Sequence, residues 1–368
     1  MMISNLPVDL VEEILSRIPT TSLKRLRLTC KQWNALFQTR KFTEKHLCKA
    51  PKEFMVLLRT NGKVCPMNVN LNIAAPSIEV KSALSLKNSD YNSEEVYINT
   101  VFHCDGLLLC TVDDDRLMVW NPCLGETRWI QLKAHDNVKD STFALGYQNN
   151  RSYKILRCWK RGEPFRDFVF EIYELSSDSW KDSNKVSLEH FTPVNIGVSL
   201  KGNSYWVTIY KNNVYERNHL VRFDFTTKKF KRLCVPLVQN LDWIVLSIVR
   251  EEQLTVLHRK NHTSKMDIWM ADNIDDTRAT LSWRKLFTVE LKIPTNSVSY
   301  WICQYQSFFI DEEKKVVVYC DANIDGNFTV NIVGEDNAYY TEHSIVLSER
   351  WMGSSGIFSY VPSLVRIL

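Results

Sequence analysis

Along residues 8–18 the apolar side chains Leu10, Val11, Ile14, Leu15 and Ile18 recur at i, i+1, i+4, i+5 and i+8. At ~100° per residue they gather into an arc of about 140° on one side of a helix. Glu12, Glu13, Ser16 and Arg17 fill the other side, so the segment reads as a short amphipathic helix. Pro7 suits its first turn, where a missing N–H is no loss, and Pro19 stops it because a proline ring cannot continue a helix. A second helix is predicted to start with Ser22 as its N-cap and to turn Leu23 and Leu26 inward. Thr29-Cys30-Lys31-Gln32 has the form of a capping box, in which the threonine hydroxyl and the glutamine amide satisfy backbone N–H groups at the start of a third helix. That helix places Cys30, Trp33 and Phe37 on one face. Three helices this short cannot stand alone. They either pack on the rest of the chain or leave apolar side chains for a partner.

After residue 53 the pattern changes to short alternating or continuous apolar runs rich in Val, Ile, Tyr, Phe and Trp, broken by Asp, Asn, Gly, Glu and Lys. These are strand and hairpin signals. Candidate turns fall at Asp105-Gly106, Asn149-Asn150, Gly202-Asn203, Glu251-Glu252 and Glu313-Lys314, in steps of 44, 53, 49 and 62 residues. Strand-turn-aromatic segments end at Trp129, Trp180, Phe230 and Trp283, spaced by 51, 50 and 53. Two interleaved series near 50 residues predict units of about four strands, the size of a kelch-like propeller blade. Five units are visible between 97 and 345, and residues 54–96 with the C-terminal strands complete a ring of six or seven. The chain has no Gly-Gly pair, so the kelch double-glycine turn is absent and a β-sandwich stays open as the alternative. The expected fold class is α+β and multidomain, a three-helix module at 1–50 followed by an all-β, propeller-like domain at 54–365.

Composition narrows the class. An apolar fraction of 45% and a charged fraction of 24% are those of a folded globular protein. The first residues lack the basic stretch and apolar run of a secretory signal, and charges interrupt every apolar run before it could span a bilayer. Neither export nor membrane insertion is expected, and the expected location is the nucleus, the cytoplasm or both. Ten cysteines are scattered without a Cys-x-x-Cys pair, which argues against a zinc site and a disulfide framework and for reduced, mostly buried thiols. The sequons at Asn150, Asn261 and Asn327 then read as chance matches. The net charge of +4 is uneven, since residues 1–52 hold ten Lys or Arg against four acids. Such asymmetry marks a solvated helical face, an acidic protein partner or, least often, a nucleic acid.

Leu6-Pro7 with Leu10, Glu13-Ile14-Leu15, Ile18-Pro19 and Cys30-Lys31-x-Trp33 resemble the F-box over about 45 residues, with Thr29 standing where many members carry an aliphatic residue. The resemblance implies docking onto a Skp-type adaptor that binds a cullin scaffold. Carried over by position, the adaptor contacts are Leu6, Pro7, Leu10, Ile14, Leu26, Cys30 and Trp33, while Leu15 and Ile18 hold the helices together. The β region is similar to the F-box associated interaction domain of large plant F-box families. Phe102–Cys110, Val119–Pro122, Phe143–Tyr147 with Tyr153-Lys154, Gly202–Trp206, Leu246–Glu251 and Tyr360–Leu364 carry that similarity, all as strand and turn residues that identify a scaffold without locating a substrate site. Both resemblances together imply a substrate-recognition subunit of an SCF-type E3 ubiquitin ligase, non-catalytic, without cofactor or metal, whose protein target is unknown.

No phosphate loop, nucleophile elbow or zinc-protease motif occurs. His258 and His262 have helical spacing, but Leu254-Thr255-Val256-Leu257 reads as strand, so they are not expected to share a metal. Asp113-Asp114-Asp115 reads as a hairpin tip. Two other classes remain as alternatives. A helix-turn-helix DNA reader would need Lys24, Arg25 and Lys31 to face phosphates, and a propeller enzyme would need turnover by the β domain alone.

Overall fold

The computed structural model describes residues 6–72, 75–86, 96–113, 115–132, 141–148, 151–161, 167–181, 197–211, 216–235, 242–260, 263–272, 281–290, 308–322, 328–335, 340–345 and 355–367. Helices come first: α1 (Val8–Leu15), α2 (Thr20–Leu26), α3 (Lys31–Phe37) and α4 (Arg40–Lys49). Pro7 and Pro19 stand at the N-cap positions of α1 and α2. Their carbonyls accept the first backbone N–H groups at 3.0–3.1 Å. Ser22 is therefore not the cap expected of it; α2 starts at Thr20, because the fixed φ of Pro19 already sets the chain for a helix. The capping box does not form either. Cys30 is the N-cap of α3, and Thr29 turns its hydroxyl back onto the Leu26 carbonyl at 2.7 Å, closing α2 instead.

The helices number four among the described residues, not three. The sequence RKFTEKHLCK of α4 offers only Phe42 and Leu47 as large apolar side chains, too few for a periodic signal. Thr39 caps it by accepting from the Phe42 N–H, and the buried Phe42, Thr43 and His46 hold it in place. Leu15, Leu23, Phe37 and Phe42 form the helical core together with Leu364 from the far end of the chain, and Val11, Ile18, Leu26 and Trp33 pack at its edge.

From Met55 onward the β-branched and aromatic alternation becomes antiparallel sheet. β1 (Met55–Thr60), β2 (Lys63–Asn70) and β3 (Ser77–Val80) are followed by five complete four-stranded blades. These are β4 (Ile98–Cys104), β5 (Leu107–Val112), β6 (Leu117–Asn121) and β7 (Glu126–Ile130); then β8 (Ser141–Gln148), β9 (Ser152–Arg161), β10 (Asp167–Glu174) and β11 (Ser179–Lys181). β12 (Val198–Leu200), β13 (Asn203–Lys211), β14 (Glu216–Asp224) and β15 (Lys229–Leu233) make the next, and β16 (Trp243–Val249), β17 (Gln253–Arg259), β18 (Lys265–Ala271) and β19 (Trp283–Glu290) the one after. β20 (Phe308–Asp311), β21 (Val316–Ala322), β22 (Phe328–Gly334) and β23 (Tyr340–Ile345) make the last. The final strand, β24 (Gly356–Tyr360), returns to pair with β1, Leu58 opposite Ile357, so that the first blade is built from both ends of the chain. The result is a propeller of six blades, which settles the open count and removes the β-sandwich.

Both sequence series have a structural meaning. The turn series marks the first hairpin of each of blades two to six; Asn149 and Asn150 lie outside the described residues, between β8 and β9. In the third of these the turn proper is Lys201-Gly202, one residue earlier than expected. The double glycine is dispensable because Asp105, Arg151, Lys201, Arg250, Glu251 and Lys315 adopt positive φ themselves, at a cost on the order of 1 kcal/mol each that the surrounding ladder absorbs. The aromatic series lies on the outermost strands, and three of its four members reach the neighbouring blade. Trp180 donates its indole N–H to the Gln131 carbonyl at 2.8 Å, and Trp283 does the same to Cys234 at 3.0 Å. Phe230 instead packs its ring on Phe170 and Phe223.

Candidate functional site

The apolar arc of α1 is split between two destinations. Leu15 is 3% exposed and faces the helical core, with Val11 and Ile18 packed beside it. Leu10 and Ile14, one turn apart, are 51% and 47% exposed. Leu6 and Val8 are exposed with them, as is Pro7. Leu15 in the core sets this orientation, and ion pairs line the polar side. Glu12 meets Lys45 at 2.9 Å, and Glu13 meets Lys49 at 2.7 Å and Arg17 at 2.8 Å. Hydrogen bonds from Lys49, Arg17 and Lys45 pull the Glu13 carboxyl down to about 2. Several of the ten N-terminal cations are thus spent inside the module, while Lys24, Arg25 and Lys31 stay exposed.

The other expected contacts lie differently. Leu26, Cys30 and Trp33 are half-buried, and Leu26 and Trp33 already lean on the helical core. Phe37, placed on the same face as Trp33, is buried in that core. Leu28, which no periodicity singled out, is the most exposed large apolar side chain described, at 83%. The signal for it was an apolar residue in the short α2–α3 connection with no place in either helical stripe.

A second feature lies where the helical module meets the propeller: a cavity of about 330 Å3 at the mouth of the central channel. Charged groups from the first hairpins of several blades converge there. Arg151 sits 2.6 Å from Asp105, and Tyr153 donates its hydroxyl to the same carboxylate at 2.9 Å. Lys52, in the linker after α4, lies 3.4 Å from Glu251. Burial and the neighbouring Asp105 push the Glu251 carboxyl up to about 7. Burial likewise draws the His103 imidazole down to about 4, leaving it a neutral acceptor for the Gly106 N–H at 3.0 Å. The sequence marked Asp105 and Glu251 only as turn residues, because the partners they meet here are 46 or more residues away along the chain.

Elsewhere, His258 is buried in β17 and contacts Asp242 at 2.8 Å, as a strand residue with a core partner would; His262 lies outside the described residues. Asp113 and Asp115 flank the β5–β6 hairpin tip, and Asp114 lies outside the described residues, as do the three sequon asparagines. Cys65, Cys104, Cys110, Cys123, Cys158 and Cys320 are buried, whereas Cys48 and Cys234 are exposed; Cys303 is not described.

Residues 3–45 match the F-box domain, and residues 54–367 match the F-box associated beta propeller domain. The first match assigns the helices and displaces the helix-turn-helix alternative. Among Arabidopsis thaliana proteins, putative F-box only protein 9 is 54% identical over 372 residues, covering 99% of this chain and 96% of its own. A putative F-box/kelch-repeat protein is 51% identical over 376 residues, covering 100% and 98%. A further F-box protein is 49% identical over 365 residues, covering 95% and 99%.

Proposed function

Since the chain belongs to the F-box proteins that carry an F-box associated β-propeller, we propose that it is the substrate-recognition subunit of an SCF-type (Skp–cullin–F-box) E3 ubiquitin ligase, acting in the nucleus or cytoplasm. Its helices dock on a Skp-type adaptor that binds a cullin, and its propeller holds a target protein. The observation that carries this is the outward half of α1. Leu6, Leu10 and Ile14 are left in water by a helix whose other half is fully used in the module's own core. Rolling the helix to hide them would pull Leu15, Val11 and Ile18 out of that core and break its ion pairs to α4. An aliphatic stripe on a helix pinned in place is what a helical partner can cover, and a few such anchors dominate an interface of ordinary size. The protein contributes proximity, raising the effective concentration of a target lysine near a ubiquitin-loaded enzyme without supplying catalytic groups.

The test is co-purification with a panel of Skp-type adaptors, comparing wild type with Pro7→Ala and Trp33→Ala. Loss of the adaptor with the propeller still folded is expected. Failure of the wild type to retain any adaptor, or retention by both variants, rejects the proposal. Pro7→Ala is the cleaner of the two, because Trp33 also packs on the helical core.

A further inference from the structure

The cavity at the channel mouth has the volume of a small-molecule pocket, and its walls belong to both modules. Val101 and His103 of β4, Ser199 of β12, Ser247 of β16 and Ile357 of β24 line the channel side. Leu47 and Ala50 at the end of α4, with the linker residues Pro51, Lys52 and Phe54, line the opposite side. No element of either module makes this space alone.

Charge selects the class of ligand. Five cations line the cavity, Lys52, Arg59, Arg151, Lys201 and Arg250, against the three carboxylates Asp105, Glu251 and Glu252. Asp105 is committed to Arg151 and Tyr153, and Glu251 to Lys52. Arg250 has Glu313 only at 3.8 Å, in an exposed pair of the kind that contributes little. Arg59 of β1 is 3% exposed, where a low dielectric magnifies the attraction for an opposite charge. The sum is a positive cavity with hydroxyl groups on its wall.

We propose that the channel mouth binds a small anion, carboxylate- or phosphate-bearing, with Arg59 at its base and Lys201 and Arg250 at its rim. A ligand seated there touches the linker on one side and three blades on the other, so it also fastens the helical module to the propeller. Binding is a property of the chain without its adaptor, and it stands or falls independently of the ligase assignment.

Isothermal titration of the full chain with citrate, inorganic phosphate and, as a cationic control, spermidine tests this. Saturable binding of citrate or phosphate is expected, weakened at least about tenfold by Arg59→Gln and severalfold by Lys201→Ala/Arg250→Ala, with a ligand-dependent rise in thermal midpoint. Citrate alone binding identifies a carboxylate ligand, and phosphate alone a phosphate. Should Arg59→Gln fail to fold, the rim pair decides, since both side chains are exposed. No saturation by either anion up to about 10 mM, binding unmoved by the rim substitutions, or tighter binding of spermidine overturns the proposal.

Discussion

Replacing Leu10 and Ile14 together by alanine separates the docking face from the module's own core. Full burial of a Leu or Ile side chain contributes ~1.5–3 kcal/mol. With 51% and 47% of their surfaces still in water, each has only about half of that left to gain, ~0.7–1.5 kcal/mol, and the pair ~1.5–3 kcal/mol. Converted to affinity, this is a loss of roughly 10- to 100-fold in Kd for the adaptor. The same double variant costs the isolated chain little. Both positions are exposed on a helix, where alanine is the best helix former and surface changes stay within about 0.5 kcal/mol each. Leu15→Ala is the counterpart: at 3% exposure its truncation leaves a cavity among Leu23, Phe37 and Phe42 and costs ~2–5 kcal/mol of stability.

The assay is adaptor titration by biolayer interferometry, run beside thermal unfolding of the same preparations. Leu10→Ala/Ile14→Ala should lose affinity at an unchanged midpoint, and Leu15→Ala should lose midpoint. An unchanged Kd for an adaptor that binds the wild type would refute the docking face. A fall in midpoint as large as that of Leu15→Ala would show instead that Leu10 and Ile14 are already packed within the chain.

Three more variants probe the packing and the channel mouth. Leu364→Ala removes the C-terminal tail's contribution to the helical core and should destabilise by ~2–5 kcal/mol in denaturant titration; an unchanged midpoint would mean the tail does not hold the module. Trp180→Phe keeps an aromatic ring but loses the hydrogen bond to the Gln131 carbonyl, a cost of ~0.5–1.5 kcal/mol, and a neutral result would mean that the indole N–H does not latch the blades. The Glu251 carboxyl, held at about 7 against an ordinary 4.5 by burial and by Asp105, keeps a proton in the folded state that the unfolded chain has released. Its contribution to stability therefore falls as pH rises from about 4.5 to about 7. Glu251→Gln removes that loss, so the variant's midpoint relative to wild type should be higher at pH 8 than at pH 5, and an equal difference at both would contradict the shift.

Local periodicity was enough for blades two to five because each repeats the same two signals, a turn between its first two strands and an aromatic residue in its last. It was not enough for α4, whose ten residues carry two large apolar side chains and are fixed by Phe42, Thr43 and His46 against helices distant in the chain. Nor could it divide the arc of α1. Hydropathy states that Leu10, Ile14 and Leu15 are all apolar, but which of them faces a neighbour depends on which part of the arc meets Leu23, Phe37 and Phe42. The failed capping box has the same character: Thr29 had the right spacing, and the carbonyl of Leu26 was the nearer partner. Candidate contacts carried over from the F-box pattern therefore fall into two physical groups. Leu6, Pro7, Leu10 and Ile14 are in water, while Leu26, Cys30 and Trp33 are partly covered by their own module.

The tail after β24 explains why those two modules do not hang from a linker. Having closed the ring, residues 361–367 continue beneath the second blade. There the Asn121 amide donates to the Ser363 and Val365 carbonyls at 3.2 and 2.7 Å, and the Ser363 hydroxyl donates to the Asp105 carbonyl at 2.6 Å. The same stretch places Leu364 in the helical core and accepts a hydrogen bond from Thr20 at the Pro362 carbonyl. One short segment is thus shared by the propeller and the helices, and neither can rotate without breaking buried contacts of the other. A flexible junction would let a bound target sample a wide volume and would dilute its lysines accordingly. A junction packed by Leu364 holds the propeller at one angle to the docking face, so that in the proposed assembly the reach to the ubiquitin donor is set by the target's own geometry.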